Sequence, residues 1–160
     1  MNTHFESIYK FNEYGNTPVK PSYENLRQAI NLVQEEVRET VEANRDGDMV
    51  GILDGLADII VTAVGVGVRA GFARQQLELA LSVVNEANLS KFPTTEEDAK
   101  KSVENYIDDP RYTDVKYEKV GEDAYRVVGK VVETGGYKIL KGNTFEQPEG
   151  KLTDIIKGNL

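Results

Sequence analysis

The segment NLVQEEVRETVEA sets Glu35, Glu36, Glu39 and Glu42 within about two helical turns of one another. Residues three or four apart are neighbours on a helix surface, so Glu36 and Glu39 share a face, as do Glu35 and Glu39. A solvated acidic face is the ordinary outcome for such a run. The alternative comes from the residues beside them. At about 100° per residue, Glu36 and Glu39 point with Ala29, Leu32 and Ala43, a second apolar sector next to the main stripe of this helix. A helix covered on both sectors would hold its carboxylates near the interior, where like charges repel and a divalent cation is the usual remedy.

A more apolar stretch follows, and between Met49 and Val68 its only charged residues are Asp54 and Asp58, spaced i, i+4 on one face. A buried carboxylate costs several kcal/mol unless it is paired, and no Lys or Arg occurs here before Arg69. Either the two aspartates pair with basic residues of another helix, or four or five carboxylates converge from two helices into an all-oxygen magnesium site. His4 is the single histidine. The glutamate–histidine motifs of a di-iron bundle are therefore missing, a serine–histidine hydrolase is excluded, and any catalytic base must be a carboxylate.

In LSVVNEANLSKF the stripe Leu77, Leu81, Val84 continues at the same spacing to Asn88 and then Lys91. Either the helix end frays into solvent, or Asn88 and Lys91 face a cavity that holds an anion, with Lys91 as its positive end. Lys138, Lys141 and Gly142 make a second small cationic loop. No Rossmann or P-loop glycine motif is present; Gly65, Gly67 and Gly71 lie within or at the end of a helix, where they are expected to permit close packing. The tyrosines and phenylalanines are expected to pack, with one near the N-terminus a candidate to stack on a base.

Three long helices must position these groups. Phe5, Ile8, Tyr9 and Phe11 suggest a short helix to about Tyr14, broken by Gly15 to Pro21. Ser22 stands as an N-cap before Leu26, Ile30, Val33, Val37 and Val41, one stripe of a helix lasting to about Arg45. Asp46-Gly47-Asp48 ends that helix and caps the next. The next, from about Met49 to Ala70, is apolar nearly all round and is expected to be the buried centre of the fold. Its valines and Gly65-Val66-Gly67 also permit a strand over Ile59 to Val68, but length favours helix. A further helix spans about Arg74 to Ser90.

Past Phe92-Pro93 the pattern changes. Thr95 caps a short helix to about Tyr106, and the runs Tyr117 to Val120, Tyr125 to Val132 and Tyr137 to Leu140 predict a small hairpin or meander. The expected fold is mainly α, with a helical bundle over residues 1–92 carrying the metal site. Residues 93–160 form a mixed appendage with a β-hairpin and a C-terminal tail.

Composition narrows the function. The 160 residues suffice for about one domain. Absence of cysteine excludes a disulfide framework, a thiolate zinc site and a cysteine nucleophile. Twenty-seven acidic against nineteen basic residues leave a net charge of −8, which argues against a nucleic-acid polymer as partner. The N-terminus lacks the pattern of a secretory signal, and the longest uncharged run, Ile59 to Val68, falls short of the roughly 20 residues of a membrane span. A cytoplasmic protein without a membrane partner is expected.

At these motifs the sequence resembles the all-α nucleoside triphosphate pyrophosphohydrolases, the MazG-like and phosphoribosyl-ATP-pyrophosphohydrolase-like group. EEVRE supplies Glu35, Glu36 and Glu39 of the family's EExxE cluster, and DGLAD supplies Asp54 and Asp58 for its second acidic motif. ANLSK at Ala87 to Lys91 and ILKGN at Ile139 to Asn143 resemble segments of small phage-type and bacterial members. The motifs cover about residues 5 to 92 and 138 to 148, and leave 93–137 outside the compact members' pattern. One position departs: the family's glutamate three residues before its aspartate is here Gly55, with Asp54 one place earlier. That bears on the number of metals and on whether Asp54 ligates directly or through water.

The resemblance implies hydrolysis of a (deoxy)nucleoside triphosphate to its monophosphate and pyrophosphate. It implies magnesium, with manganese as a substitute, held by Glu35, Glu36, Glu39, Asp58 and Asp54, with Glu35 or Glu36 as the base. Asn88, Lys91 and Lys141 would bind substrate, and a homodimer or homotetramer would complete the site. Phosphoribosyl-ATP as substrate is the alternative within the enzyme class, and a metal-stabilised helical binding or regulatory protein is the alternative outside it.

Overall fold

The computed structural model describes residues 4–159. In chain order it has α1 (His4–Tyr14), α2 (Tyr23–Asp46), α3 (Met49–Ala70), α4 (Arg74–Leu89), α5 (Glu96–Glu104), β1 (Tyr112–Gly121), β2 (Ala124–Val131), β3 (Tyr137–Ile139) and α6 (Glu149–Lys157). The fold is mainly α with a small antiparallel sheet. Met1 to Thr3, the start of the stretch tested for a signal, and Leu160 lie outside the described residues. The chain divides into two compact units, 1–79 and 80–160, and the division falls inside α4, ahead of the composition change at Phe92-Pro93.

Local chemistry sets the helix ends. The Ser22 side chain accepts from the Asn25 N–H, and Asp48 accepts from the N–H groups of Val50 and Gly51, satisfying donors that a first turn leaves open. Gly47 and Gly71 close α2 and α3 in the left-handed conformation, which glycine adopts without steric cost. Residues 59–68 are helical throughout.

In the first unit α2 packs along α3, and α1 also packs on α3. Arg69 near the end of α3 donates to Asn25 Oδ1 at 2.8 Å, and the Tyr9 hydroxyl donates to the Phe72 carbonyl at 2.7 Å. Burial corrects two expectations. On α2 the side turned inward carries Asn25, Ala29, Val33, Glu36, Thr40 and Ala43, whereas Ile30, Val37 and Val41 of the main stripe are exposed. On α3 only Gly55, Val64 and Gly67 are buried; Val50 and Leu53 are more than 70% exposed, so α3 is not the buried centre of this chain. Apolarity states that a surface prefers cover; it does not state which neighbour supplies it. Taken alone, α3 is also long and apolar enough to cross a membrane, which the length of the uncharged run understated.

The second unit closes on itself. Strands β1, β2 and β3 form an antiparallel sheet in that order, with Tyr117 opposite Val127 and Val128 opposite Ile139. Helix α5, capped by Thr95, packs on β1 and β2, and Ala99, Ser102 and Val127 are fully buried. Strand β1 starts earlier than its apolar run suggests, with charged and half-buried residues mixed from Tyr112 onward, whereas β2 matches its run to within one residue at each end and β3 stops at Ile139. In place of a tail, α6 runs from Glu149 and ends at a left-handed Gly158, with Ile155 buried.

Candidate active site

Glu35, Glu36 and Glu39 project from the middle of α2, and Asp54 and Asp58 from the first half of α3. Two close approaches hold the helices together there. A Cβ at Gly55 would lie 2.2 Å from Thr40 Oγ1 and 3.4 Å from Thr40 Cα; one at Gly51 would lie 3.0 Å from the Ala43 Cβ. Glycine at these places lets α3 settle against α2 at the level of the carboxylates. Thr40 turns its hydroxyl back to the Glu36 carbonyl at 2.7 Å, and Thr62 does the same to Asp58 at 2.8 Å. Both threonines thereby satisfy their own polar groups inside a helix.

The consequence is electrostatic. Glu36 is half-buried, and its carboxyl pKa is raised above the ordinary value, first by desolvation and then by the negative charges of Glu39, Asp58, Glu35 and Asp54, in that order. Every charge raising it is another carboxylate, drawn from both helices. The five predicted residues are thus brought into one field, with Glu39 and Asp58 acting most strongly on Glu36 and Asp54 least. Among the described residues no group of three or more of these side chains is placed so that it could hold a metal ion. The donor set still fits a hard divalent cation: oxygen ligands only, excess negative charge, and one member partly removed from water.

The position that departs from the family pattern has a steric reason. Gly55 is buried against Thr40, so a glutamate there would force the helices apart, and Asp54 stands exposed beside it. Thr40 was not singled out from sequence; its signal is the pairing of a small residue on one helix with glycine on the next.

In the second unit, the Lys91 ammonium donates to Asn88 Oδ1 at 2.7 Å. The Gly142 N–H donates to the Lys91 carbonyl at 3.1 Å, which sets the ANLSK and ILKGN segments side by side although about fifty residues of chain separate them. Glycine is needed at 142, since a Cβ would lie 2.9 Å from the Pro93 ring and 3.0 Å from the Lys91 carbonyl. Lys91 and Lys141 then line one cleft of about 390 Å³. Gly67, as expected, admits close packing, with Leu77 against it. Of the N-terminal aromatics, Tyr9 has its hydroxyl engaged with Phe72, while Phe11 and Tyr14 are exposed.

Residues 10–88 match the sequence profile of the phosphoribosyl-ATP pyrophosphohydrolase family. The match spans both carboxylate-bearing helices. That segment is similar to this family, which lies within the MazG-like all-α nucleoside triphosphate pyrophosphohydrolases. No curated protein and no solved structure matches the chain. The match supports a pyrophosphohydrolase-type activity, hydrolysis of a phosphoanhydride bond, and enzymes of that family typically use a divalent metal. The family segment ends at residue 88, so Lys91, Lys141 and the whole sheet lie beyond it.

Proposed function

We propose that the protein is a magnesium-dependent pyrophosphohydrolase that cleaves (deoxy)nucleoside triphosphates to monophosphate and pyrophosphate. The observation that carries this is the Glu36 carboxyl, held in the field of four other carboxylates from two helices of the family segment. Glu35, Glu36, Glu39 and Asp58 would hold the metal, with Asp54 reaching it directly or through water. A bound divalent cation supplies charge neutralisation at the phosphates and acidifies a water molecule, and manganese would serve in place of magnesium.

The remaining steps belong to the chain. A water oxygen bonds to phosphorus at the α–β bridge, the bridging P–O bond breaks, and pyrophosphate leaves. Glu36 or Glu35 takes the water's proton. Lys91 and Lys141 bind phosphate oxygens, and Asn88, which already orients the Lys91 ammonium, adds a hydrogen bond to sugar or phosphate.

A second copy of the chain is the proposed partner, as homodimer or homotetramer. Support comes from the exposed Ile30, Val37 and Val41 of α2 and Leu53, Leu56 and Ile60 of α3, a larger apolar surface than solvent ordinarily faces. Covering α3 in this way fits a cytoplasmic enzyme, as do Asp54 and Asp58 in the middle of that helix. Neither nucleic-acid polymer nor membrane is a proposed partner.

Phosphoribosyl-ATP is kept as the second substrate reading because the matched family bears that name. Pyrophosphate release from each common NTP and dNTP and from phosphoribosyl-ATP, with magnesium, with manganese and with EDTA, tests the assignment. Metal-dependent release from nucleoside triphosphates is expected. Release from phosphoribosyl-ATP alone would move the substrate, and silence on every compound would leave a helical binding or regulatory protein.

A further inference from the structure

Unit 2 carries an arrangement that is the electrostatic reverse of the carboxylate cluster. Lys91, Arg111, Lys138 and Lys141 line the 390 Å³ cleft together with Tyr106, Tyr112, Ile139 and Leu140, and no acidic residue lines it. The other depressions of this sheet include Glu118 or Glu133 among their walls. In a chain of net charge −8, four cations gathered in one cleft oppose their own assembly.

The partners of these cations leave most of that charge uncompensated. Lys91 rests on the neutral Asn88 amide, and the Lys141 ammonium lies 4.3 Å from the centre of the Phe145 ring. Lys138 is in no ion pair among the described residues. Arg111 alone is paired, through Nη2 and Nε to Asp109, and this bidentate contact fixes its guanidinium, which also lies 5.4 Å from the Tyr112 ring centre. The walls are likewise fixed. Tyr106 and Tyr112 meet edge to face at 5.7 Å, the Tyr106 hydroxyl donates to the Lys141 carbonyl at 3.1 Å, and Leu140 is buried beneath.

Several positive groups in a space the size of a small-molecule site, one of them an arginine oriented by Asp109 with Nη1 outside that pair, suit a compact polyanion. We propose that this cleft binds a linear polyphosphate chain without metal, and that Arg111 and Lys138 make it prefer two or three linked phosphates over one. The proposal rests on the functional reading above only in taking Lys91 and Lys141 as phosphate contacts; Arg111 and Lys138 are new. The chain could be inorganic pyrophosphate or the tail of a nucleotide.

Calorimetric titration of the full chain in EDTA with inorganic phosphate, pyrophosphate, tripolyphosphate and a nucleoside triphosphate tests this. Tripolyphosphate and pyrophosphate should bind at least about tenfold more tightly than phosphate, an affinity that falls with added salt. Lys138→Glu should abolish that binding, and Arg111→Ala should weaken it about tenfold or more. Lys138 is exposed and outside any ion pair, so its variant keeps the test valid even where Arg111→Ala harms folding through Asp109. Equal affinity for tripolyphosphate and nucleotide assigns the site to the free chain, and a clear preference for nucleotide assigns it to the tail. Failure of tripolyphosphate to bind, or wild-type binding by Lys138→Glu, overturns the cleft. Metal-dependent pyrophosphate release without polyphosphate binding in EDTA would preserve the enzyme and remove the cleft; the opposite pair of results would do the reverse.

Discussion

The two units solve the problem of a short chain in different ways. The second, from Ala80 on, packs α5 on β1 and β2 and buries Ala99, Val127 and Leu140, with Ile155 of α6 buried as well. The first buries Ile8, Ala29 and Val64 and leaves long apolar surfaces on α2 and α3 open. The difference follows from where each spends its apolar residues. In the second unit Ala99 of α5 and Val127 of β2 are fully buried, while Leu89, Ile107, Val120, Val132 and Ile156 stay exposed. In the first, the inward sector of α2 is given to Ala29, Glu36 and Thr40, because small residues are what let a carboxylate-bearing helix approach another closely. The stronger stripe is thereby left outside. A unit that positions charge at a helix–helix contact gives up part of its own core, and association offers a way to recover it.

If that contrast is sound, placing a charge on the open surface should have the largest effect on assembly. Leu53→Glu should weaken self-association by about a hundredfold while leaving the far-ultraviolet circular dichroism unchanged, which sedimentation at several concentrations would show. A monomer indistinguishable in assembly from wild type would remove the second copy from the account. Next in size is Gly55→Ala, which forces Thr40 away and should cost about 1–3 kcal/mol of stability by overpacking, read from denaturant unfolding. Adding Thr40→Ala should restore part of the loss, because the two sites are in contact.

The carboxylate cluster makes a smaller prediction with the opposite sign. A carboxyl whose pKa is raised in the fold opposes folding once ionised, so the metal-free protein loses stability as pH rises through that raised value. Glu36→Gln should therefore raise the melting temperature slightly at neutral pH in EDTA, while it lowers turnover. The smallest effect lies in the second unit. The Arg111 side chain, followed by its backbone N–H, holds the Asp109 carboxyl down to about 2. Its contribution to stability is present above the usual carboxyl pKa and is lost as pH falls through about 2. A carbon-detected NMR titration should place its midpoint there.

What was readable in the sequence divides along the same line. The caps Ser22, Asp48 and Thr95 and the stops Gly47 and Gly71 were legible because each acts within one turn of its own helix. That Glu35, Glu36 and Glu39 lie together on α2, and Asp54 and Asp58 together on α3, was legible because helical spacing fixes which residues share a face. Which of two apolar sectors α2 turns inward was not, since the pattern records a preference for cover and not the identity of the neighbour. Helix α6 was missed although Glu149, Lys157 and Gly158 carry ordinary start and stop signals; its apolar residues, Leu152, Ile155 and Ile156, are too few to make a clear stripe. Lys138 was read only as part of a small cationic loop with Lys141, and Arg111 gave no signal, because hairpin register and the loop at Gly142, not sequence spacing, bring them together.

The central claim is that the carboxylates of α2 and α3 carry phosphoanhydride hydrolysis. Its most direct test is pyrophosphate release from nucleoside triphosphates by the wild-type chain and by Glu39→Gln, each with magnesium and with EDTA. The account predicts release by wild type with magnesium only, and a loss of about a hundredfold or more in a variant that remains folded. Turnover by Glu39→Gln equal to that of wild type, or release that persists in EDTA, would contradict it.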